Sequence, residues 1–212
     1  MPIFSYLLTA LAAYLLGSIP TGYLVARARG VDIRTVGSGN IGATNALRVL
    51  GKRAGITVLV LDALKGFIAV AWLAEGLPPL FNLSIADPQA HQVLAGVCAV
   101  LGHNYTCWLR FKGGKGIATT AGVYLALAPL PLLIALGVFL LGLLLTRYVS
   151  VGSIAAAVAL PVAVWILKPH AILLAVATTA LGVLAIYKHA GNIQRLLAGT
   201  ESRMGKKTQD AK

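Results

Sequence analysis

The chain has 212 residues, 58% of them hydrophobic and only 11% charged, and its 18 Lys and Arg against six Asp and Glu give a formal charge of +12. Mean hydropathy is +0.83. Soluble domains carry about 25% charged residues, so an ordinary water-soluble fold is excluded. The basic excess also lacks the aromatic platforms that bind single-stranded nucleic acid, and no nucleic-acid partner is expected.

The first apolar run, residues 3–24, reads as a membrane span. Ala10-Leu11-Ala12 mimics a signal-cleavage site, but no Lys or Arg precedes the run and it continues to Ala26, so the helix is expected to be retained. Segments 54–75, 90–109, 149–167 and 169–187 also approach or reach the roughly 20 apolar residues that a crossing needs. Gly116–Thr146 is too long: as one helix its roughly 31 residues would measure about 46 Å. Pro129 and Pro131 interrupt it. Two shorter crossings joined at Pro129-Leu130-Pro131 keep both basic flanks on one side. A re-entrant or long tilted segment is the alternative, with five or six crossings. The expectation is an all-α integral membrane protein with about seven transmembrane helices, some of them short.

Charge sets the orientation. All of the Lys and Arg except Lys65 and Lys168 fall within 27–53, 110–115, at Arg147, or in 188–212. Short Lys- and Arg-rich loops stay cytoplasmic. This places the N-terminus outside and the C-terminus in the cytosol, with 76–89 and 168–170 external. Residues 1–205 read as a single transmembrane domain and 206–212 as a basic flexible tail, with solvated character starting near Arg203. Cys98 and Cys107 lack companions at zinc spacing and read as packing residues.

Three polar segments interrupt the apolar pattern. The first is Val36-Gly37-Ser38-Gly39-Asn40-Ile41-Gly42-Ala43-Thr44-Asn45-Ala46-Leu47-Arg48. Its glycines match G-x-G-x-x-G, but a membrane helix precedes it and not the strand of a dinucleotide-binding unit. Glycines let backbone N–H groups form an anion nest, and Ser38, Asn40, Thr44, Asn45 and Arg48 add polar side chains. A structural turn with a helix cap is the competing reading. The second segment runs from Gly102-His103 to Phe111-Lys112-Gly113-Gly114-Lys115-Gly116. It is not a phosphate loop of the Walker type, because Gly116 follows Lys115. Either the glycines bring Lys115 against a phosphate, or Lys112 and Lys115 snorkel to headgroups. The third, Tyr187–Glu201, contains His189, a residue able to switch protonation near neutral pH. It also contains a short amphipathic stretch, Asn192–Leu197, suited to an interface. Asp62 and Lys65 lie at i, i+3 within an apolar span, where charges are paired or functional. The favoured reading is a pair that locks its helix against a neighbour.

Together, Gly37-Ser38-Gly39-Asn40-x-Gly42-Ala43-Thr44-Asn45, Gly102-His103 leading to Phe111-Lys112-Gly113-Gly114-Lys115-Gly116, and His189-x-x-Asn192-Ile193-x-Arg195-Leu196-Leu197-x-Gly199 resemble the PlsY family. These are bacterial acyl-phosphate-dependent glycerol-3-phosphate acyltransferases. The resemblance covers about residues 3 to 205. Ile41 and Thr106 stand where a proline is common in that family, and Ala190 where an arginine is common.

The resemblance implies transfer of an acyl group from a long-chain acyl phosphate to the sn-1 hydroxyl of glycerol 3-phosphate. It implies Ser38, His189 and Asn192 as catalytic residues. Gly39, Asn40, Thr44, Asn45, Arg48, Lys112, Gly113, Gly114, Lys115 and Ser153 would bind substrate. Either His189 or a substrate phosphate would take the hydroxyl proton. No metal or other cofactor is implied. Membrane lipids, and a transient contact with the enzyme that makes acyl phosphate, complete the expected partners of a monomer in the bacterial inner membrane, its active site facing the cytosol. Coenzyme-A-using acyltransferases carry His-x-x-x-x-Asp, and none of His91, His103, His170 or His189 has Asp five residues on. A transporter of a phosphorylated solute is the alternative from residues alone, but transporters hold substrate near the midplane at broken helices, and here the polar segments cluster at one interface.

Overall fold

The structure is a computed structural model that describes residues 2–205, which form helices and connecting loops with no strand among them. The expected tail, 206–212, lies outside the described residues. Contacts divide the chain between Pro129 and Leu130 into two compact units.

The first unit contains α1 (Pro2–Ser18), α2 (Thr21–Arg27), α3 (Ala43–Leu50), α4 (Lys52–Ile68), α5 (Ala74–Gly76), α6 (Pro88–Asn104) and α7 (Ile117–Leu127). A π-helical turn, Ala69–Leu73, carries α4 into α5. α1 faces inward with small and polar residues: Ser5, Thr9 and Ala13 are fully buried. Ile3, Phe4, Leu7, Leu11 and Leu15 are exposed. Large apolar residues outside and small ones inside are the pattern for a helix solvated by lipid, where helices associate through close backbone approach. α1 lies on α6 and α4 on α7. At these contacts a Cβ on Gly17 would come 2.1 Å from the Ala99 carbonyl oxygen, and one on Gly102 2.2 Å from that of Tyr14. One on Gly122 would come 1.8 Å from the Ala63 oxygen.

The second unit holds α8 (Pro129–Thr146, from Leu130 onward), α9 (Val149–Leu167), α10 (Ile172–Lys188) and α11 (Ala190–Leu197). α9 and α10 are neighbours. The 116–146 stretch breaks at Ala128, not within Pro129-Leu130-Pro131. The residue before a proline is pushed out of the α region, and Ala128 has φ −155°. Pro129 then opens α8, where a missing N–H costs nothing.

Among the described residues four helices are long and apolar enough to cross a membrane: Ile3–Arg27, Lys52–Gly76, Pro129–Thr146 and Val149–Leu167. A fifth forms if Ile172–Lys188 and Ala190–Leu197, bent by 51°, count as one span. α6 and α7 are shorter, at 17 and 11 residues. The expected span 90–109 ends early, at Asn104. The chain turns back through Arg110 and Phe111, both left-handed at φ 53° and 60°. Residues 203–205 are exposed, and two of them bond back to the two residues before α9. Arg203 donates to the Tyr148 hydroxyl at 3.0 Å, and the Met204 N–H to the Arg147 carbonyl at 2.8 Å.

Gly122→Ala should destabilise the protein by about 1–3 kcal/mol, the usual cost of overpacking. Gly137→Ala on α8, with nothing within 4 Å of the added carbon, should be neutral or stabilising by up to about 1 kcal/mol. Thermal unfolding of both variants in detergent checks the contrast.

Candidate active site

In the first unit the loop before α3 is built around Asn45, which is 2% exposed. Its Oδ1 accepts the Ser38 N–H at 2.9 Å, and its Nδ2 donates to the carbonyls of Ile33 and Val36 at 3.3 and 3.1 Å. Asn40 closes the other half, accepting the Gly42 N–H at 2.8 Å. Gly37 and Gly39 have φ +61° and +68°, a region that side chains with a Cβ disfavour. The side chains of Asn45 and Asn40 thus shape the loop. Ser38 and Thr44 are exposed, Gly39 and Arg48 half-buried. The Ser38 hydroxyl and the Arg48 guanidinium make no hydrogen bond or ion pair among the described residues.

The second segment folds over the end of α6. The Gly114 N–H donates to the His103 carbonyl at 3.0 Å and the Gly113 N–H to that of Asn104 at 3.2 Å. Gly116, at φ +81°, caps α7. Lys115 is half-buried between two buried glycines, directly ahead of the α7 N-terminus. Unsatisfied N–H groups and the positive end of a helix dipole favour an anion there. Lys112 is exposed. The two segments meet: Leu109 shares a buried apolar cluster with Ile33, Ile41 and Ala46. A cavity of about 440 Å³ is lined by Arg34, Trp108, Leu109, Arg110 and Lys112.

The second unit gathers Ser150, Asn192 and Arg195 on Glu201, which the sequence reading left without a role. Oε1 accepts from Ser150 Oγ at 2.9 Å and Asn192 Nδ2 at 2.6 Å, and Oε2 from Arg195 Nε at 2.7 Å. The signal for it was a lone acid in the basic stretch 188–209. Ser153 is buried one turn along α9 from Ser150, its hydroxyl donating to the Val149 carbonyl at 2.9 Å. His189 ends α10, with Nδ1 2.7 Å from the Ala185 carbonyl. A carbonyl only accepts, so the proton sits on Nδ1 and the lone pair of the neutral ring is on Nε2.

Asp62 and Lys65 do pair, at 2.9 Å, and are 1% and 4% exposed. Asp62 also accepts from the Thr21 hydroxyl. Lys65 Nζ lies 3.0 Å from the Ile19 carbonyl and 3.0 Å from His103 Nδ1. Among the described residues no cluster of His, Cys, Asp or Glu is arranged to hold a metal ion.

Long apolar helices, Gly-rich turns that carry Arg and Lys, and a helix end that carries His and Asn are the makeup of a membrane protein with polar segments at its helix ends. The family model described as glycerol-3-phosphate acyltransferase matches residues 7–199. The glycerol-3-phosphate acyltransferase of Geotalea daltonii is 46% identical over 198 residues, 93% of this chain and 97% of the relative. That of Clostridioides difficile strain 630 is 45% identical over 210 residues, 99% of this chain and all of the relative. The crystal structure of PlsY, an integral membrane glycerol 3-phosphate acyltransferase, in its glycerol 3-phosphate form aligns with a TM-score of 0.83 at 41% identity, covering 95% of this chain and 96% of that one. Its lysophosphatidic acid form aligns at 0.80. The chain belongs to the glycerol-3-phosphate acyltransferase family.

Burial pushes the Glu201 carboxyl up, but hydrogen bonds from Asn192, Arg195 and Ser150 outweigh it and leave the group below its ordinary value. A depressed carboxyl stabilises the fold above the unfolded value, and that share is lost as pH falls through the folded one. Glu201→Gln should cost about 1.5–3 kcal/mol at neutral pH. Its unfolding should lack the part of the wild-type acid destabilisation that sets in below about pH 4.3. Melting curves across pH for both proteins measure this.

Proposed function

We propose that this chain transfers a fatty acyl group from acyl phosphate to the sn-1 hydroxyl of glycerol 3-phosphate. The products are 1-acyl-sn-glycerol 3-phosphate, a lysophosphatidic acid, and inorganic phosphate, in the first step of phospholipid synthesis. The observation that carries the reading is the Lys115 loop: a lysine between buried glycines, set at a helix N-terminus, suits a phosphate monoester. The solved PlsY relative has a glycerol 3-phosphate form and a lysophosphatidic acid form, the acceptor and product of this reaction. An acyl phosphate fits the donor role because it is already an activated anhydride, and the chain lacks the His-x-x-x-x-Asp of coenzyme-A-using enzymes.

In this reading Arg48 and Lys115 hold phosphate through charge-assisted hydrogen bonds. Lys112 and Thr44 add contacts, with the backbones of Gly39, Gly113 and Gly114. Asn40, Asn45 and Ser153 complete the substrate-binding set. The acceptor hydroxyl oxygen bonds to the acyl carbon, the carbon–oxygen bond to phosphate breaks, and inorganic phosphate leaves with the bonding pair. Nε2 of His189 or an oxygen of the substrate phosphate takes the hydroxyl proton. Ser38 and Asn192 orient the hydroxyl and stabilise the developing oxyanion. Glu201 holds the Asn192 amide at 2.6 Å, which fixes its orientation. The chain works as a monomer among membrane lipids. It crosses the bacterial inner membrane seven times, with its N-terminus outside and its phosphate-binding segments in the cytosol. A transient contact with the enzyme that makes acyl phosphate supplies the donor.

Purified protein offered labelled glycerol 3-phosphate should release acylated product with acyl phosphate and not with acyl-CoA. Turnover with acyl-CoA alone would refute the donor assignment. Lys115→Ala should raise KM for glycerol 3-phosphate, losing about 1.5–3 kcal/mol in kcat/KM. Ser38→Ala and Asn192→Ala should chiefly lower kcat. A folded Asn192→Ala enzyme with wild-type kcat and a raised KM would move that residue to binding only.

A further inference from the structure

The buried charges on α4 have no part in the reaction described above, yet they sit under the loop that carries it. The geometry points to Asp62, Lys65 and His103 as a positioning network that holds the Lys112–Gly116 loop in its phosphate-binding shape. This rests on the reading that Lys115 meets substrate phosphate.

The chain of contacts is continuous. Thr21 at the start of α2 donates to Asp62, and Asp62 holds Lys65 at 2.9 Å. Lys65 donates to the Ile19 carbonyl at 3.0 Å and reaches His103 Nδ1 at 3.0 Å. Nδ1 of His103 also lies 3.4 Å from Asp62 Oδ1, so the same ring edge faces both members of the ion pair. The ring is thereby fixed at one edge by the buried Asp62–Lys65 pair. Its other edge abuts the loop, where a Cβ on Gly114 would fall 2.1 Å from Nε2. The His103 carbonyl meanwhile accepts the Gly114 N–H at 3.0 Å, and a Cβ on Gly113 would fall 2.0 Å from that same oxygen. One residue, pinned from below by Lys65, therefore fits against the two glycines that precede Lys115. A pair serving only to join α4 to α2 would need neither His103 nor the exclusion of side chains at positions 113 and 114. Buried ion pairs give little net stability against apolar replacements, while removing one partner strands the other.

The test uses full-length protein in detergent. Asp62→Asn with Lys65→Met removes both charges together, so no ion is stranded. Two readouts are taken: amide hydrogen exchange at residues 112–117, and calorimetric binding of glycerol 3-phosphate with no acyl donor present. The expected result is faster exchange confined to the loop, with the body of α6 unchanged. Binding should weaken about tenfold, the value of one charged hydrogen bond, and kcat at saturating glycerol 3-phosphate should change far less. His103→Asn, which keeps an acceptor for Lys65 and removes the far edge of the ring, should loosen the same loop. It serves as the test if the double variant does not fold. A folded variant of either kind with wild-type loop exchange and wild-type affinity overturns the proposal. Wild-type protein that binds no glycerol 3-phosphate would instead refute the substrate role of Lys115, and the exchange comparison would still decide whether the network holds the loop.

Discussion

Lipid tails are as apolar as leucine, so burying leucine cannot draw one helix to another inside a bilayer. Association falls to van der Waals contact and to polar groups that find each other. The first unit follows from this constraint. α1 turns Ser5, Thr9 and Ala13 inward and its large side chains outward, and glycines on α1, α6 and α7 bring backbones to distances that a methyl group would prevent. With helices this close, a carbonyl on one chain segment is within reach of a side chain on the next. Tyr14 donates to the Tyr105 carbonyl at 2.7 Å, and Thr106 to that of Ser18. The same proximity lets Lys65 touch both Ile19 and His103.

The two units solve one problem in different ways. Each must present polar groups at a helix boundary without leaving backbone unsatisfied. In the first unit the solution is neutral: side-chain amides of Asn40 and Asn45 take up N–H and carbonyl groups of a glycine turn, which leaves the Ser38 hydroxyl uncommitted. In the second it is ionic. Glu201 draws Ser150, Asn192 and Arg195 onto one carboxylate, and the chain beyond it is tied down by Arg203 on Tyr148 and Met204 on Arg147. An ionised carboxylate accepts at several positions at once, so one residue orders a helix end, a loop and the face of α9.

Much of this was legible in the residues, because hydropathy, charge sign and proline report directly on lipid contact, sidedness and helix breaks. Pro129 marked the interruption of the 116–146 stretch to within a residue. The three polar segments were found because glycine and cations are rare in apolar runs. Other features left no local mark. α6 stops at Asn104 although the run stays apolar to Leu109, and hydropathy is blind to the left-handed turn at Arg110 and Phe111 that reverses it. Glu201 meets Ser150 across 51 positions, a distance no spacing rule covers. Asn45 reads as a ligand contact by composition, and its bonds to the Ser38 N–H and the Ile33 and Val36 carbonyls leave no trace in the spacing, since an amide serves a substrate and a backbone equally well. His103 was visible in a motif, but its hold on Gly114 is a matter of shape.

The Asn45 amide also limits what can ever occupy its position. It accepts from one N–H and donates to two carbonyls, so both ends are used and their order is fixed. Aspartate has the same outline but no donor, and would set a second oxygen against the carbonyls of Ile33 and Val36. Glutamine has the right groups on too long an arm. Deamidation, the ordinary ageing reaction of asparagine, would produce an aspartate form and undo the turn around Ser38 without any change in the gene. That reaction begins with attack of the Ala46 backbone nitrogen on the Asn45 side-chain carbonyl, so the loop's chemical lifetime is tied to α3 holding the Ala46 N–H in its bond to the Gly42 carbonyl at 3.1 Å.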